Sequence, residues 1–416
     1  MPKTLIKSIR ARSILDSRGF PTVEVTVEAG NAKGVFGVPS GASTGSAEAL
    51  ELRDGGGAFL GKGVDKAVFN VNSILSKKLK GKNVYEQEKL DKLMIGLDGT
   101  VNKRKLGANA ILGVSGAICK AAAGAKKKPL YEYIASLIGN KKLEIPKFMM
   151  VLIEGGVHGD TNLNLQEFLI VPNKKKVWEN LRLASEVFHS LAKLLKTKKQ
   201  FTNVGDEGAF SPHVETNRQA LDFLAEAIST SNYELGKDVG LALDVAASEF
   251  YDVRLKTYVL NADQTSLNSE RMVSMFKEWV EKYSIISLED PLAEEDWEGW
   301  QAMQGRLSDK CLLVGDDLFT TQTMRLKKGI EMGVGNGTII KPNQVGSITE
   351  TLDMIRLAQK NNYKCIVSHR AGETNDDFIA DLAVGAGAQY IKTGSVARGE
   401  RVAKYNRLLQ IEAEIK

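Results

Sequence analysis

The sequence predicts an α/β protein in two parts, an N-terminal α+β domain over residues 1–138 and a C-terminal TIM-type β/α barrel over residues 143–416. Three observations carry this. Six short apolar runs in the second half each end in a charged or ionisable group: Asp244, Glu289, Asp316, Lys341, His369–Arg370 and Lys392. The steps between these tips are 45, 27, 25, 28 and 23 residues, and a strand, a loop and a return helix take about 25 residues or more. The first third lacks that rhythm and shows strict apolar/polar alternation instead. A parallel barrel gathers the ends of its strands on one face, where its chemistry sits.

In chain order, Pro21–Val27 alternates Val23, Val25 and Val27 with Thr22, Glu24 and Thr26, the mark of a half-buried antiparallel strand. Ser8–Leu15 and Gly34–Val38 are its expected neighbours. Val64, Val68, Val71, Leu75 and Leu79 fall at helical spacing. A second helix is expected over Gln87–Leu97, and a third, rich in small residues, over Ala108–Ala125. The Gly139–Lys142 stretch reads as a surface linker. Beyond it, Trp178–Leu195, Asn217–Ile228, Glu270–Tyr283, Gln322–Met332 and Ser347–Asn361 are amphipathic helices placed between strand tips.

Composition narrows the function classes. With 43% hydrophobic and 26% charged residues the chain is an ordinary globular protein. No uninterrupted apolar stretch approaches 18 residues, so no membrane span is expected. Met1–Arg12 is basic but lacks the apolar core of a signal peptide, and the expected location is the cytoplasm. Cys119, Cys311 and Cys365 are dispersed and read as buried thiols rather than a zinc site. The net charge of +5 comes from scattered lysine clusters without interleaved aromatics, so nucleic acid is not an expected partner. Gly56–Gly63 mimics a phosphate loop, but Gly63 stands where a hydroxyl residue is required and no strand precedes it.

The tips themselves suggest the chemistry. An acid closing a buried strand is costly unless it meets a cation, and Asp244, Glu289 and Asp316 in one register suit a hard divalent metal such as Mg²⁺. Lys341 and Lys392 end two other strands. A lysine beside a second lysine and a metal has its ammonium form disfavoured, and can then serve as a base. Pro342 keeps Lys341 extended.

The order of short motifs across nearly the whole chain resembles enolase: DSRGFPTVE at Asp16–Glu24, PSGASTG at Pro39–Gly45, EALELRD at Glu48–Asp54, QEF at Gln166–Phe168, VGDEG at Val204–Gly208, SLED at Ser287–Asp290, GDDL at Gly315–Leu318, KPNQVG at Lys341–Gly346, SHRAGET at Ser368–Thr374 and IKTG at Ile391–Gly394. The resemblance implies reversible dehydration of 2-phosphoglycerate to phosphoenolpyruvate. It implies that Asp244, Glu289 and Asp316 hold one Mg²⁺ and that Ser43 in the PSGASTG loop serves a second, which arrives with substrate. Lys341 resembles the base and Glu207 the acid, with Glu167 beside it. His158, Gln166, His369, Arg370, Ala371 and Lys392 match substrate-binding positions. A carboxylate such as Glu167 near Glu207 would raise its pKa by like-charge repulsion. Enolases are commonly homodimers and sometimes larger homo-oligomers, and surface-displayed members bind plasminogen through lysines; this chain ends in Lys416.

The chain also departs from the family's pattern. Val151 and Glu154 stand where asparagines are usual, Ala371 where a serine is usual, and Phe20 and Ala209 replace an asparagine and a glycine. None of these removes a metal ligand, the base or the acid, so an active enzyme is expected. The competing readings are another acid dehydratase or a racemase of the same superfamily, and a catalytically weakened paralogue kept for plasminogen binding at the cell surface.

Overall fold

A computed structural model describes residues 3–42 and 45–415, so Ser43 and Lys416 lie outside the described residues. The N-terminal alternation becomes a three-stranded antiparallel meander of β1 (Ile6–Leu15), β2 (Pro21–Ala29) and β3 (Ala32–Gly37). Val23, Val25 and Val27 of β2 are fully buried, and the helix Ala108–Ala125 packs across them. Small residues make that contact close. A Cβ on Gly116 would fall 2.4 Å from the Phe36 ring, and one on Gly34 would fall 2.1 Å from the Ala117 carbonyl oxygen. By length and hydropathy this helix could cross a bilayer, but 83% of it is buried within the protein. The helix expected from Val64 to Leu79 runs through Asp65–Phe69 and Ser76–Leu79 with a π-helical stretch, Asn70–Leu75, between them.

Eight strands close the barrel: β4 (Lys147–Glu154), β5 (Glu167–Pro172), β6 (Val239–Asp244), then, after a small sheet of β7 (Tyr251–Asp252), β8 (Thr257–Leu260) and β9 (Thr265–Leu267), β10 (Ile285–Glu289), β11 (Leu312–Gly315), β12 (Gly337–Ile340), β13 (Lys364–Ser368) and β14 (Tyr390–Lys392). All six strand tips read from the sequence belong to it. The small sheet accounts for the long first step of 45 residues. Met149, Val151, Leu169, Val171, Ala242, Val314, Ile339 and Ile366 fill the barrel as a cluster separate from the core beneath the helices. Asn268, Asp296 and Ser347 cap three of the outer helices through backbone N–H groups at 3.0, 3.1 and 3.2 Å.

The parallel barrel expected from the strand tips needs one correction: β5 runs antiparallel to both β4 and β6. The reason is local. Only a short loop with one helical turn, Gly156–His158, joins β4 to β5, and a parallel neighbour would need a crossover element. The reversal has a consequence for the site. Two helices, Val177–Thr197 and Asn217–Thr230, must then separate β5 from β6, and the connection between them returns to the mouth where the other strands end. Glu207 lies on that connection. Glu167, the first residue of β5, sits in register with Asp244, the last residue of β6, and with Glu154, the last of β4.

Candidate active site

The mouth of the barrel holds a small, tightly filled cleft. Ten of the predicted site residues line it: His158, Gln166, Glu167, Glu207, Asp244, Lys341, His369, Arg370, Ala371 and Lys392. Glu289 and Asp316 stand just behind, against the two lysines. A wider hollow at the opposite mouth carries Lys147, Lys237 and Lys310, but each already faces a partner: Asn173, Glu234 and Glu281.

One half of the cleft is a lysine–acid lattice. The Lys392 ammonium ion-pairs with Asp244 at 2.7 Å and with Glu167 and Glu289 at 3.0 Å each. Burial disfavours its charge, but the three acids outweigh this and hold its pKa well above the usual value. Burial and the neighbouring Asp244 together push Glu289 well up. Lys341 pairs with Asp316, whose other oxygen accepts from Gln344 Nε2 at 2.9 Å. Lys341 therefore differs from the expectation of a disfavoured ammonium. Burial is the largest single effect and lowers its pKa, but the acids around it, Asp316 first and then Glu289, raise it, and the net shift is upward. Its backbone is extended at φ −122°, with Pro342 opening the next helical turn.

The other half is a carboxyl–imidazole cluster. Glu207 faces His369 Nε2 at 3.1 Å and His158 Nδ1 at 3.6 Å, and Glu167 faces His158 Nδ1 at 3.3 Å. Like-charge repulsion was expected to raise Glu207, and the structure corrects this. Burial does act upward on Glu207, but His369, His158 and Arg401 hold it well below the usual carboxylate range. The upward shift falls instead on Glu167, through burial and the Glu207 charge, and on Glu154, which the same two causes push up to about 8. For His158, burial lowers the pKa but Glu207 and Glu167 outweigh it, to about 9. For His369, burial dominates and lowers it to about 4. Its Nδ1 faces Arg401 Nη1 at 2.6 Å. A guanidinium can only donate, so Nδ1 is the acceptor and the proton of the neutral ring sits on Nε2, toward Glu207.

Sequence reasoning assigned no role to three residues that the fold brings to the site. Arg401 lies in the helix after the last barrel strand, away from any strand tip. Besides His369 it reaches the carbonyl oxygens of Arg370 and Ala371 at 2.6 Å each. Glu48 comes from the N-terminal domain and pairs with Arg370 at 2.9 Å; its EALELRD stretch was visible in the sequence, but nothing in one chain links it to Arg370. Gln344, one turn after Lys341, holds Asp316.

The acids that could hold a metal are Asp244, Glu289 and Asp316, at the ends of the neighbouring strands β6 and β10 and just beyond β11. Their donor set is oxygen only, and crowding has already lifted Glu289, so the residues fit a hard divalent cation. Among the described residues, the His, Cys, Asp and Glu groups whose ligand atoms all lie within 4.8 Å of one another are His158–Glu167–Glu207 and Asp290–Asp316–Asp317; Asp244, Glu289 and Asp316 are not drawn that close together. Asp290 accepts the backbone N–H groups of Asp316 and Asp317 at 3.0 and 2.7 Å, which fixes the turn that presents Asp316.

Two family models match the sequence in order. One, described as the enolase N-terminal domain, matches residues 6–134; the other, described as the enolase C-terminal TIM barrel domain, matches residues 142–416.

Proposed function

This chain belongs to the enolase family, a family of lyases, and we propose that it interconverts 2-phosphoglycerate and phosphoenolpyruvate with Mg²⁺. The observation that supports this most is an opposition across the cleft. In the closed order of eight strands, β12, which Lys341 directly follows, lies four places from β5, which carries Glu167 beside Glu207. A base and an acid so placed can work on adjacent carbons of one small substrate. Lys341 removes the C2 proton, Glu207 gives a proton to the C3 hydroxyl, the C3–O bond breaks and water leaves. Lys341 can do this only from its neutral form, so its pairing with Asp316 has to be relieved first.

Asp244, Glu289 and Asp316 would hold Mg²⁺, which would supply positive charge where the substrate carboxylate gains its second negative charge. Lys392 adds to that field. Arg370 and His369 orient the phosphate and carboxylate, and the Ala371 position offers backbone rather than a hydroxyl. His158 orders Glu167 and Glu207. A protonated Glu207 is needed at the acid step, and Glu167 beside it, pushed up by burial and the Glu207 charge, is the nearest store of a proton.

The test is phosphoenolpyruvate absorbance during turnover of 2-phosphoglycerate. The wild type with Mg²⁺ should turn over and EDTA should abolish the signal. Lys341→Ala should lose about 10²–10⁴-fold, the usual worth of a general base. A wild-type protein silent with Mg²⁺ would overturn the proposal.

A further inference from the structure

Glu154 is a fully buried carboxyl at the last position of β4, and the proposed reaction gives it no step. Its oxygens point at the turn that carries the acid. Oε1 accepts the backbone N–H of Ala209 at 2.7 Å, and both oxygens accept the N–H of Glu207 itself, at 3.2 and 3.1 Å. The turn also docks on β4 through its backbone. Glu154 N donates to the Phe210 carbonyl at 2.8 Å, and Phe210 N donates to Leu152 at 3.1 Å. Gly205 closes directly over the carboxyl, since a Cβ there would fall 2.2 Å from Glu154 Oε2.

We propose that Glu154 is a positioning residue for Glu207: its buried carboxyl clamps the Gly205–Ala209 turn through the N–H groups of Glu207 and Ala209 and so aims the acid at the substrate. This rests on Glu207 being the acid in the proposed reaction. The other side chains on the turn, Arg398 and Arg401, reach only the carbonyls of Gly205 and Asp206, at 2.8 and 3.1 Å. Glu154 alone among the described residues holds the Glu207 amide with a side chain. Both Glu154 oxygens accept from the turn, Oε1 from Glu207 and Ala209 and Oε2 from Glu207. A glutamine would keep one acceptor and turn an NH₂ toward a backbone donor. The upward shift of Glu154 marks a carboxyl kept at an unfavourable place, as expected if it serves the turn. Aim matters because Glu207 must meet His369, His158 and the leaving hydroxyl together, and a displacement of about 1 Å costs roughly 10²-fold in rate.

The test separates the two proton transfers. Loss of deuterium from C2 of labelled 2-phosphoglycerate reports Lys341, and formation of phosphoenolpyruvate reports Glu207. In Glu154→Gln, dehydration should fall about tenfold or more, while KM and C2 exchange stay within about twofold of wild type. Unchanged dehydration would overturn the proposal, and so would an equal fall in both, which marks a general structural role. If that variant does not fold, Glu154→Asp draws the carboxyl back from the turn by one methylene and should give the same split; no split overturns it. Backbone amide exchange at Glu207 and Ala209 reads the clamp without turnover. It should quicken in the folded Glu154→Gln protein, and unchanged exchange removes the clamp even where the wild type proves silent. A silent wild type with quickened exchange in the variant would count against the proposed reaction and not against the clamp.

Discussion

Burial raises the cost of charge on every carboxyl in the cleft, yet Glu207 and Glu154 move in opposite directions. Glu207 faces two imidazoles and a guanidinium and moves down, while burial and the Glu207 charge move Glu154 up. This has a consequence for stability against pH. Glu154, pushed from 4.5 to about 8, and His158, pushed from 6.5 to about 9, both bind protons more tightly in the folded chain. Their stabilisation is complete below the unfolded values and is lost as pH rises through the folded ones. His369, lowered from 6.5 to about 4, acts the other way and loses stability as pH falls through that window. Melting temperature should therefore decline from pH 6.5 to 9, at most about 1.4 kcal/mol per pH unit for each group. Glu154→Gln should make the fall shallower, and an equally steep decline in that variant would contradict the assignment. At this scale the tip residues were legible because a charge closing an apolar run is conspicuous. Glu207, Glu167 and His158 were legible only through motif resemblance, because they lie on loops or at a strand start. The charge state of Glu207 was not legible at all, since it depends on Arg401 and two histidines distant in sequence.

Elements were easier to find than their directions. The helices and strands expected from periodicity recur with ends shifted by a few residues, as with Gln87–Asp98 and Val177–Thr197. The direction of β5 escaped because a strand buried on both faces reads as a continuous apolar run either way; Glu167–Pro172 is buried throughout. The small sheet over Tyr251–Leu267 escaped because strands of two to four residues leave too little alternation to count. Close packing of β3 on the helix Ala108–Ala125 is the element-level feature with the sharpest expected outcome. In Gly34→Ala the new Cβ meets the backbone of Ala117 and Ala121 at 2.1 and 2.4 Å, which no side-chain rotation relieves. The denaturation midpoint should fall by the equivalent of about 1–3 kcal/mol. An unchanged midpoint would show that the strand and helix can part at no cost.

Across the whole molecule, the N-terminal domain is joined to the barrel by buried and half-buried polar contacts and contributes to the site. Asp91 accepts from Thr349 N and Oγ1 at 3.0 and 2.6 Å. Lys120 pairs with Asp376 at 2.7 Å. Ser40 and Gly372 exchange backbone hydrogen bonds at 2.7 and 2.9 Å. Glu48 then reaches Arg370 inside the cleft. None of these links was legible in one sequence, because each joins residues more than two hundred positions apart with no local pattern. The two-part architecture was legible, because alternation in the first third and the β/α interval in the rest are different periods. In the proposed reaction the chemistry divides between a lysine on one side of the barrel and a glutamate on the other. The most direct measurement follows C2 deuterium loss and phosphoenolpyruvate formation side by side in Lys341→Ala and Glu207→Gln. The account predicts that Lys341→Ala loses both and that Glu207→Gln keeps exchanging deuterium while forming almost no product. Exchange persisting in Lys341→Ala, or vanishing in Glu207→Gln, would contradict it.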